Sequence, residues 1–194
     1  MIRQSPELEF SDWLSPLAGA EEVSTIYVPV RMPTQNIAEQ WHPFQRSKNV
    51  HMIHEIVRLS AENMFDRDEL PIVWEWPDGP LKSGNITRRW FMHNWAKNVL
   101  HIKTKPRRDE ATIIHILQVP DGRIAIHVHS RLPRLTDPDG VKMKWLVDGL
   151  VHMQFMRDDS QRYVYSVTQS QEKLLAVGEL KKQGREHEAL PWDD

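Results

Sequence analysis

The chain has 194 residues, including 13 prolines, 8 glycines and no cysteine, and its formal net charge at pH 7 is −2. This length is typical of one globular domain with embellishments, and the lack of cysteine excludes disulfides, thiolate zinc sites and cysteine nucleophiles. No apolar run approaches the ~20 residues of a membrane-spanning helix, and the first ten residues lack the apolar core of a signal peptide. We therefore expect a cytoplasmic protein that does not enter a membrane.

The secondary structure is predicted from the spacing of apolar and β-branched residues. From the N-terminus, the predicted elements are an irregular arm (1–22), a strand (23–30), a loop (31–48), a helix (49–63), a loop with the strand-like run IVWEW (66–84) and a basic helix (86–102). The second half is predicted as two strands (112–119 and 123–130), a helix (141–156), a strand (162–168) and a terminal helix (171–183) ended by Gly184. The tripeptide Pro120-Asp121-Gly122 predicts a hairpin between the two paired strands.

Without the basic helix, the order of the central elements is β-α-β-β-α-β. This order predicts an α+β fold in which helices pack on a small mixed sheet. The basic helix is then an insertion, and a helical tail follows the last strand. The predicted division is an arm over 1–22, a domain over 23–168 with an insertion over 65–108, and a helical, acidic tail over 169–194.

The positive charge of the chain is concentrated between Lys82 and Arg108, where eight basic residues occur and no acidic one. A basic block in a near-neutral chain is typical of a face that binds nucleic acid, and a solvated helix face with a basic loop has the same pattern. The candidate DNA contacts are Arg88, Arg89, Lys97, Lys103, Lys105, Arg107 and Arg108. The aromatic residues among them, Trp90, Phe91 and Trp95, suit either stacking on bases or a place in the core.

Acidic residues surround the helix predicted over 141–156. Asp137 and Asp139 lie where a strand leads into this helix, and the pair Asp158-Asp159 follows its end. Carboxylates in this arrangement can converge on one Mg²⁺, which prefers hard oxygen ligands and can assist phosphodiester hydrolysis. The same segments also fit an ordinary turn, an aspartate cap and a solvated loop.

Two further patterns in this half of the chain are compatible with a catalytic or metal-binding site. Lys144 lies four residues before Asp148 on the predicted helix, where a lysine near a metal can stabilise charge developing on phosphorus; the two also suit a plain surface ion pair. His127 and His129 share one face of a predicted strand and suit metal ligation, although a polar strand face produces the same alternation.

The segment Asp137-Pro-Asp-Gly, then Lys144-x-x-x-Asp148-Gly-Leu, then Asp158-Asp159-Ser-Gln resembles the core of the RusA-like Holliday junction resolvases, or crossover junction endodeoxyribonucleases. That family shows D-x-D-N, then K-x-x-x-D-A-L, then D-D-s-q before a strand. Upstream, the run over 28–30 and the P-x-x-N segment over 33–36 resemble its first strand and the segment after it. The resemblance spans 23–168, and its specific part is 137–161. Gly140 replaces the family's asparagine, and one extra residue precedes Lys144.

The resemblance implies a Mg²⁺-dependent, homodimeric endodeoxyribonuclease that cuts four-way DNA junctions in recombination and repair, of a kind common in phages and prophages. Mn²⁺ is an expected substitute for Mg²⁺. The implied catalytic residues are Asp137, Asp139, Asp159 and Lys144, of which the three carboxylates hold the metal, with Asp148 and Asp158 in support. Branched DNA and a second copy of the chain are the implied partners.

Two other functions fit the same residues. One is a non-catalytic DNA-binding accessory protein of recombination on the same fold. The other is a metal-dependent phosphoesterase with a smaller substrate, against which the basic block argues. A homodimer suits junction resolution, because two symmetric incisions need two active sites. Its interface has candidate aromatic residues that otherwise cap the chain's own core: Trp13, Trp41, Trp74, Trp76 and Trp192.

Overall fold

A mixed four-stranded sheet with helices packed on it forms the α+β fold of this protein. The structure is a computed structural model that describes residues 17, 19–62, 69–70, 75–76, 79–80, 86–101, 106–136 and 143–190, with the backbone alone over 69–90. The α+β class and the small mixed sheet predicted from the sequence are confirmed. No helix in the described part of the chain is long and apolar enough to cross a membrane.

The sheet strands are β1 (Glu21–Val28), β2 (Ala111–Gln118), β3 (Ile124–Leu132) and β4 (Val164–Lys173). Their spatial order is β1-β2-β3-β4. Strand β2 pairs antiparallel with both β1 and β3, whereas β4 runs parallel to β3. A parallel neighbour requires a crossover connection, and this connection contains the helix that carries the candidate site.

The hairpin between β2 and β3 turns where Pro120-Asp121-Gly122 predicts it. The Gly122 N–H donates to the Val119 carbonyl at 2.8 Å, and the Val119 N–H donates to the Arg123 carbonyl at 2.9 Å. Gly122 has a φ of 84°, in the left-handed region that glycine enters without steric cost. The predicted hairpin is therefore confirmed, with its strands displaced by one or two residues from the predicted bounds.

The helices of the described chain are α1 (Gln35–Glu39), α2 (Pro43–Ala61), α3 (Arg88–Asn94), α4 (Met143–His152) and α5 (Val177–Lys182). The loop predicted over 31–48 is wrong, since it contains α1 and the first turn of α2. Pro43 occupies the first helical position, where its missing N–H costs no hydrogen bond. Thr34 caps α1 by accepting the Ile37 N–H at 3.4 Å.

The basic helix predicted over 86–102 is divided in the structure. Ile86–Thr87 pairs with Glu69–Leu70 as a two-residue strand, α3 follows, and one turn of π-helix covers Trp95–Val99. In the strand-like run upstream, Glu75–Trp76 pairs with Gly79–Pro80. A π turn inserts one extra residue into a helix and is frequent at functional sites.

Aromatic residues offered for DNA or dimer contacts lie in the core where the structure describes their side chains. Phe91 and Trp95 are fully buried and stack with ring centroids 6.4 Å apart. Trp41 is also buried and stacks on Trp145 at 5.1 Å. The base-stacking interpretation is therefore wrong for Phe91 and Trp95, and the interface interpretation is wrong for Trp41. The side chains of Trp13, Trp74, Trp76, Trp90 and Trp192 lie outside the described residues.

The first and last strands of the sheet differ from their predicted bounds. Glu21 and Glu22, predicted in the irregular arm, belong to β1. The last strand continues to Lys173, so the terminal helix predicted over 171–183 is wrong over its first residues. There the backbone pairs with β3, with Gln171 opposite Ser130, and pairing with an available strand overrides local helix propensity. Gly184 ends α5 as predicted, with a φ of 69°.

Candidate functional site

The candidate site is built on α4, in the crossover between the parallel strands β3 and β4. The helix ends at His152, short of the predicted Met156, and Gln154 beyond it has a φ of 61°. Leu146, Val147, Gly149 and Leu150 are buried, and α4 packs against α2. Lys144, Asp148 and His152 recur every four residues and therefore share another face of the helix.

Lys144 lies between two carboxylates. Its ammonium donates to Asp148 Oδ1 at 3.0 Å and to Asp159 Oδ2 at 3.3 Å. The lysine side chain is 70% exposed, and those of Asp148 and Asp159 are 32% and 39% exposed. The hydrogen bond and charge of Asp148, followed by the hydrogen bond to Asp159, raise the pKa of Lys144 above its ordinary value. The ammonium is therefore charged at neutral pH and accessible to a ligand.

Asp159 reaches the helix from the turn that leads into β4. Asp158 Oδ1 accepts the Ser160 N–H at 3.1 Å, and the Ser160 carbonyl accepts the N–H groups of Tyr163 and Val164, each at 2.9 Å. This turn brings Asp159 to Lys144, 15 residues earlier in the chain. The structure thus brings together Lys144, Asp148 and Asp159, while Asp158 stabilises the turn beside them.

Asp137 and Asp139, the other two predicted metal ligands, lie outside the described residues. The connection toward them is described as far as Thr136. The backbone N–H of Thr136 donates to Gln171 Oε1 at 2.9 Å, and its hydroxyl donates to the same oxygen at 3.2 Å. Because Gln171 is in β4, these two hydrogen bonds hold Thr136, the last described residue before Asp137, beside that strand.

The predicted metal set is represented by Asp159 alone in the described part of the chain, and those residues contain no group of three His, Asp or Glu side chains able to hold a metal ion. The donor chemistry nevertheless suits Mg²⁺, because carboxylates from α4 and from the following turn converge on one cationic group. Hard carboxylate oxygens, completed by water and phosphate oxygens, are the usual ligands of Mg²⁺. A divalent-cation site at this position therefore stays a prediction, which depends on Asp137 and Asp139.

A histidine pair beside the site was not identified from the sequence. His54 of α2 stacks on His152, with ring centroids 5.7 Å apart. Gly149 of α4 faces His54, and a Cβ there would lie 3.4 Å from His54 Cδ2, in ordinary van der Waals contact. Burial and the neighbouring His152 lower the pKa of His54, and the charge of Asp148 opposes them. The spacing of Asp148 and His152 places both residues on one helical face, and this much can be seen in the sequence. The sequence does not show that His54, on another helix, packs against that face.

His127 and His129 lie on the sheet face opposite the helices, where they contact β4. His127 Nδ1 is 2.9 Å from Thr168 Oγ1, and its Nε2 is 2.8 Å from Ser170 Oγ. His129 Nδ1 is 2.8 Å from the same Ser170 hydroxyl. These contacts connect the side chains of the two parallel strands. Both imidazoles therefore belong to a polar strand face, as the second interpretation predicts.

The basic block does not form one uniform surface. Lys97, in the π turn, is exposed. Arg107 instead pairs with Asp109 and donates to the Leu175 carbonyl at 3.0 Å, and the Arg108 N–H donates to the Leu190 carbonyl at 2.9 Å. The side chains of Arg88, Arg89, Lys103 and Lys105 lie outside the described residues. Of the predicted DNA contacts whose side chains are described, Lys97 is exposed, whereas Arg107 and Arg108 are partly buried.

Comparison of the chain with family models, with curated proteins and with solved structures found no match.

Proposed function

We propose that this chain is a Mg²⁺-dependent, structure-selective endodeoxyribonuclease that resolves four-way DNA junctions in recombination and repair. The observation that carries the proposal is the convergence of Asp148 and Asp159 on the exposed ammonium of Lys144. These residues are the second and third parts of the motif that resembles the RusA-like resolvases. The proposal includes the family's β-α-β-β-α-β core over 23–168, with 65–108 as an insertion, and a bacterial or phage-encoded protein acting in the cytoplasm.

The proposed mechanism divides the work among the acidic residues and Lys144. Asp137, Asp139 and Asp159 would hold Mg²⁺, which when bound neutralises phosphate charge and lowers the pKa of a water. Lys144 is held charged by its two carboxylate neighbours and donates a hydrogen bond to the phosphate oxygens as negative charge develops there. Asp148 orients that ammonium from one helical turn away. Hydrolysis adds the water oxygen to phosphorus and breaks one P–O bond of the strand.

The proposed DNA-binding surface is the basic block near α3. Lys97 is exposed, and Arg88 and Arg89 begin α3. Basic residues of this kind contact phosphates and position the duplex rather than read bases. Because Arg107 is engaged with Asp109, we assign it a smaller share of the binding energy than the sequence alone indicates.

The proposal requires a homodimer, because resolution into two duplexes needs two incisions in strands related by two-fold symmetry. An isologous dimer places two identical sites on those strands. Light scattering at micromolar concentration should therefore give about twice the chain mass of 22.8 kDa. A monomeric mass, both free and bound to a junction, would contradict coordinated resolution.

The decisive experiment is incubation of the protein with a synthetic four-way junction and Mg²⁺, beside a linear duplex of the same sequence. We expect paired, symmetric nicks in the junction, no nicks in the duplex and no reaction in EDTA. Mn²⁺ should replace Mg²⁺. Absence of cleavage with either metal, under conditions where the junction is bound, would refute the nuclease proposal.

A second candidate function is a DNA-binding accessory protein that does not cleave. One observation favours it: the ammonium of Lys144 already occupies the point where Asp148 and Asp159 converge. A lysine that neutralises two carboxylates allows them to lie close together without a metal ion between them. Tight junction binding without cleavage is the outcome that would select this function.

A further inference from the structure

A groove lies beside α2, away from the carboxylates of the candidate site. Its volume is about 480 Å³, within the range of pockets that bind small organic groups. It lies between the first half of α2 and the π turn, two segments that are distant in the sequence. The lining residues are His42, Phe44, Gln45, Lys48, Asn49, Met52 and Asn98.

An aromatic ring is exposed in this groove. Phe44, in the first turn of α2, is 53% exposed, although a phenyl ring contributes to stability mainly when it is buried. The Lys48 ammonium lies 4.7 Å from the centroid of the ring, which is a cation–π contact. Phe44 is therefore an apolar ring at the protein exterior, with a positive charge over one of its faces.

The floor of the groove is fixed by buried amides. Asn49 is 1% exposed, and its side-chain amide donates to the Asn98 carbonyl at 2.6 Å. The Asn98 side chain in turn donates to Asn94 Oδ1 at 3.1 Å. Buried Met52 completes the floor. These contacts join α2 to the π turn, so the groove is held open by both segments.

Lys48 gives the groove a positive charge, and none of its seven lining residues is acidic. An anionic ligand with a flat apolar part, such as a nucleotide, is complementary to this combination. Its phosphate is attracted by the Lys48 ammonium, and its ring can stack on Phe44.

We propose that this groove binds an unpaired base of DNA. The base stacks on Phe44, the side-chain amides of Gln45 and Asn98 supply donors and acceptors for its edge, and Lys48 contacts the adjoining phosphate. Unstacked bases are recognised in this way by aromatic rings together with polar groups on their edges. The inference rests on the proposed function only in taking DNA as the ligand.

The test uses a duplex with one extrahelical 2-aminopurine and a fully paired duplex of the same sequence, both without metal so that no strand is cut. Fluorescence anisotropy with the full chain measures affinity, and 2-aminopurine emission reports stacking. We expect preferential binding of the bulged duplex with quenched emission. Phe44→Ala should reduce this preference roughly ten- to hundredfold, since loss of one stacked base has an effect of that size.

Two further variants make the result specific. Phe44→Trp keeps an aromatic surface and should retain both preference and quenching. Tyr165→Ala removes a ring that is 49% exposed on β4, where it packs against Arg123, and should leave the preference unchanged. Competition by free deoxyadenosine monophosphate shows whether the groove accepts a single nucleotide or requires the strand.

Three outcomes would overturn the inference: equal affinity of the wild-type protein for bulged and paired duplexes, an unchanged preference in Phe44→Ala, or a dimer that becomes a monomer in Phe44→Ala with DNA binding intact. The last would make the groove a contact between two copies. Because no cleavage is measured, a positive result stands even if the chain cuts no junction, and a negative result leaves the nuclease proposal to its own experiment.

Discussion

Asp159→Asn is expected to reduce junction cleavage roughly a thousandfold while the protein remains folded, an effect at the upper end for loss of one charge-stabilising group. The amide keeps the shape of the side chain but adds no negative charge and ligates Mg²⁺ weakly. It also removes one of the two carboxylates that hold Lys144. Cleavage is measured by single-turnover kinetics on a labelled junction, and folding by circular dichroism.

Asp121→Asn is the matched control for this variant. Asp121 is an exposed carboxylate bonded to an arginine, Arg123, in the turn between β2 and β3, and its replacement should leave the cleavage rate unchanged. Junction binding by Asp159→Asn should persist or strengthen, because the variant repels phosphate less. Cleavage by Asp159→Asn at the wild-type rate would show that this carboxylate has no part in catalysis.

His127 is expected to make the stability of the protein depend on pH. The imidazole is 3% exposed, and burial, followed by the charges of His115 and His129, lowers the pKa of His127 to about 4. The unfolded chain, with a pKa near ~6.5, then binds more protons than the folded chain between these values. The contribution of the neutral imidazole to the free energy of unfolding is fully present above pH ~6.5. It is lost as the pH falls towards 4, and the total loss is roughly 3 kcal/mol.

Urea denaturation at several pH values between 7 and 4 measures this dependence. In His127→Gln the free energy of unfolding should fall less steeply with decreasing pH than in the wild-type protein, whatever its value at pH 7. His93→Gln removes a histidine from an exposed position on α3 and should keep the wild-type slope. An identical slope in His127→Gln would show that another group is responsible.

The predictions that succeeded concern residues close together in the chain. The hairpin at Gly122, the end of α5 at Gly184 and the pairing of Lys144 with Asp148 each involve residues no more than four positions apart. Turn conformation and helical spacing are set by such neighbours. For the same reason the spacing of Lys144 and Asp148 predicted their contact before the fold was known.

One of the predictions that failed was local, and the others concern choices made between distant segments. Pro43 was interpreted as a loop residue, although proline suits the first position of a helix. Trp41 was a candidate for an interface, but Trp145, far along the chain, provides a stacking partner for it. Gln171 was placed in a helix because the sequence contains no sign that the edge of β3 is available for pairing.

The sequence by itself determined the class of the fold, most of its strands and the acidic and basic residues from which the site is composed. Only the tertiary structure decided that Asp159 meets Lys144, that Arg107 donates to the Leu175 carbonyl and that Phe44 and Asn98 share a groove. The physical reason is the range of the interactions. Backbone preferences act over a few residues, whereas ion pairs and grooves between segments depend on the register of β3 with β4 and on the packing of α2.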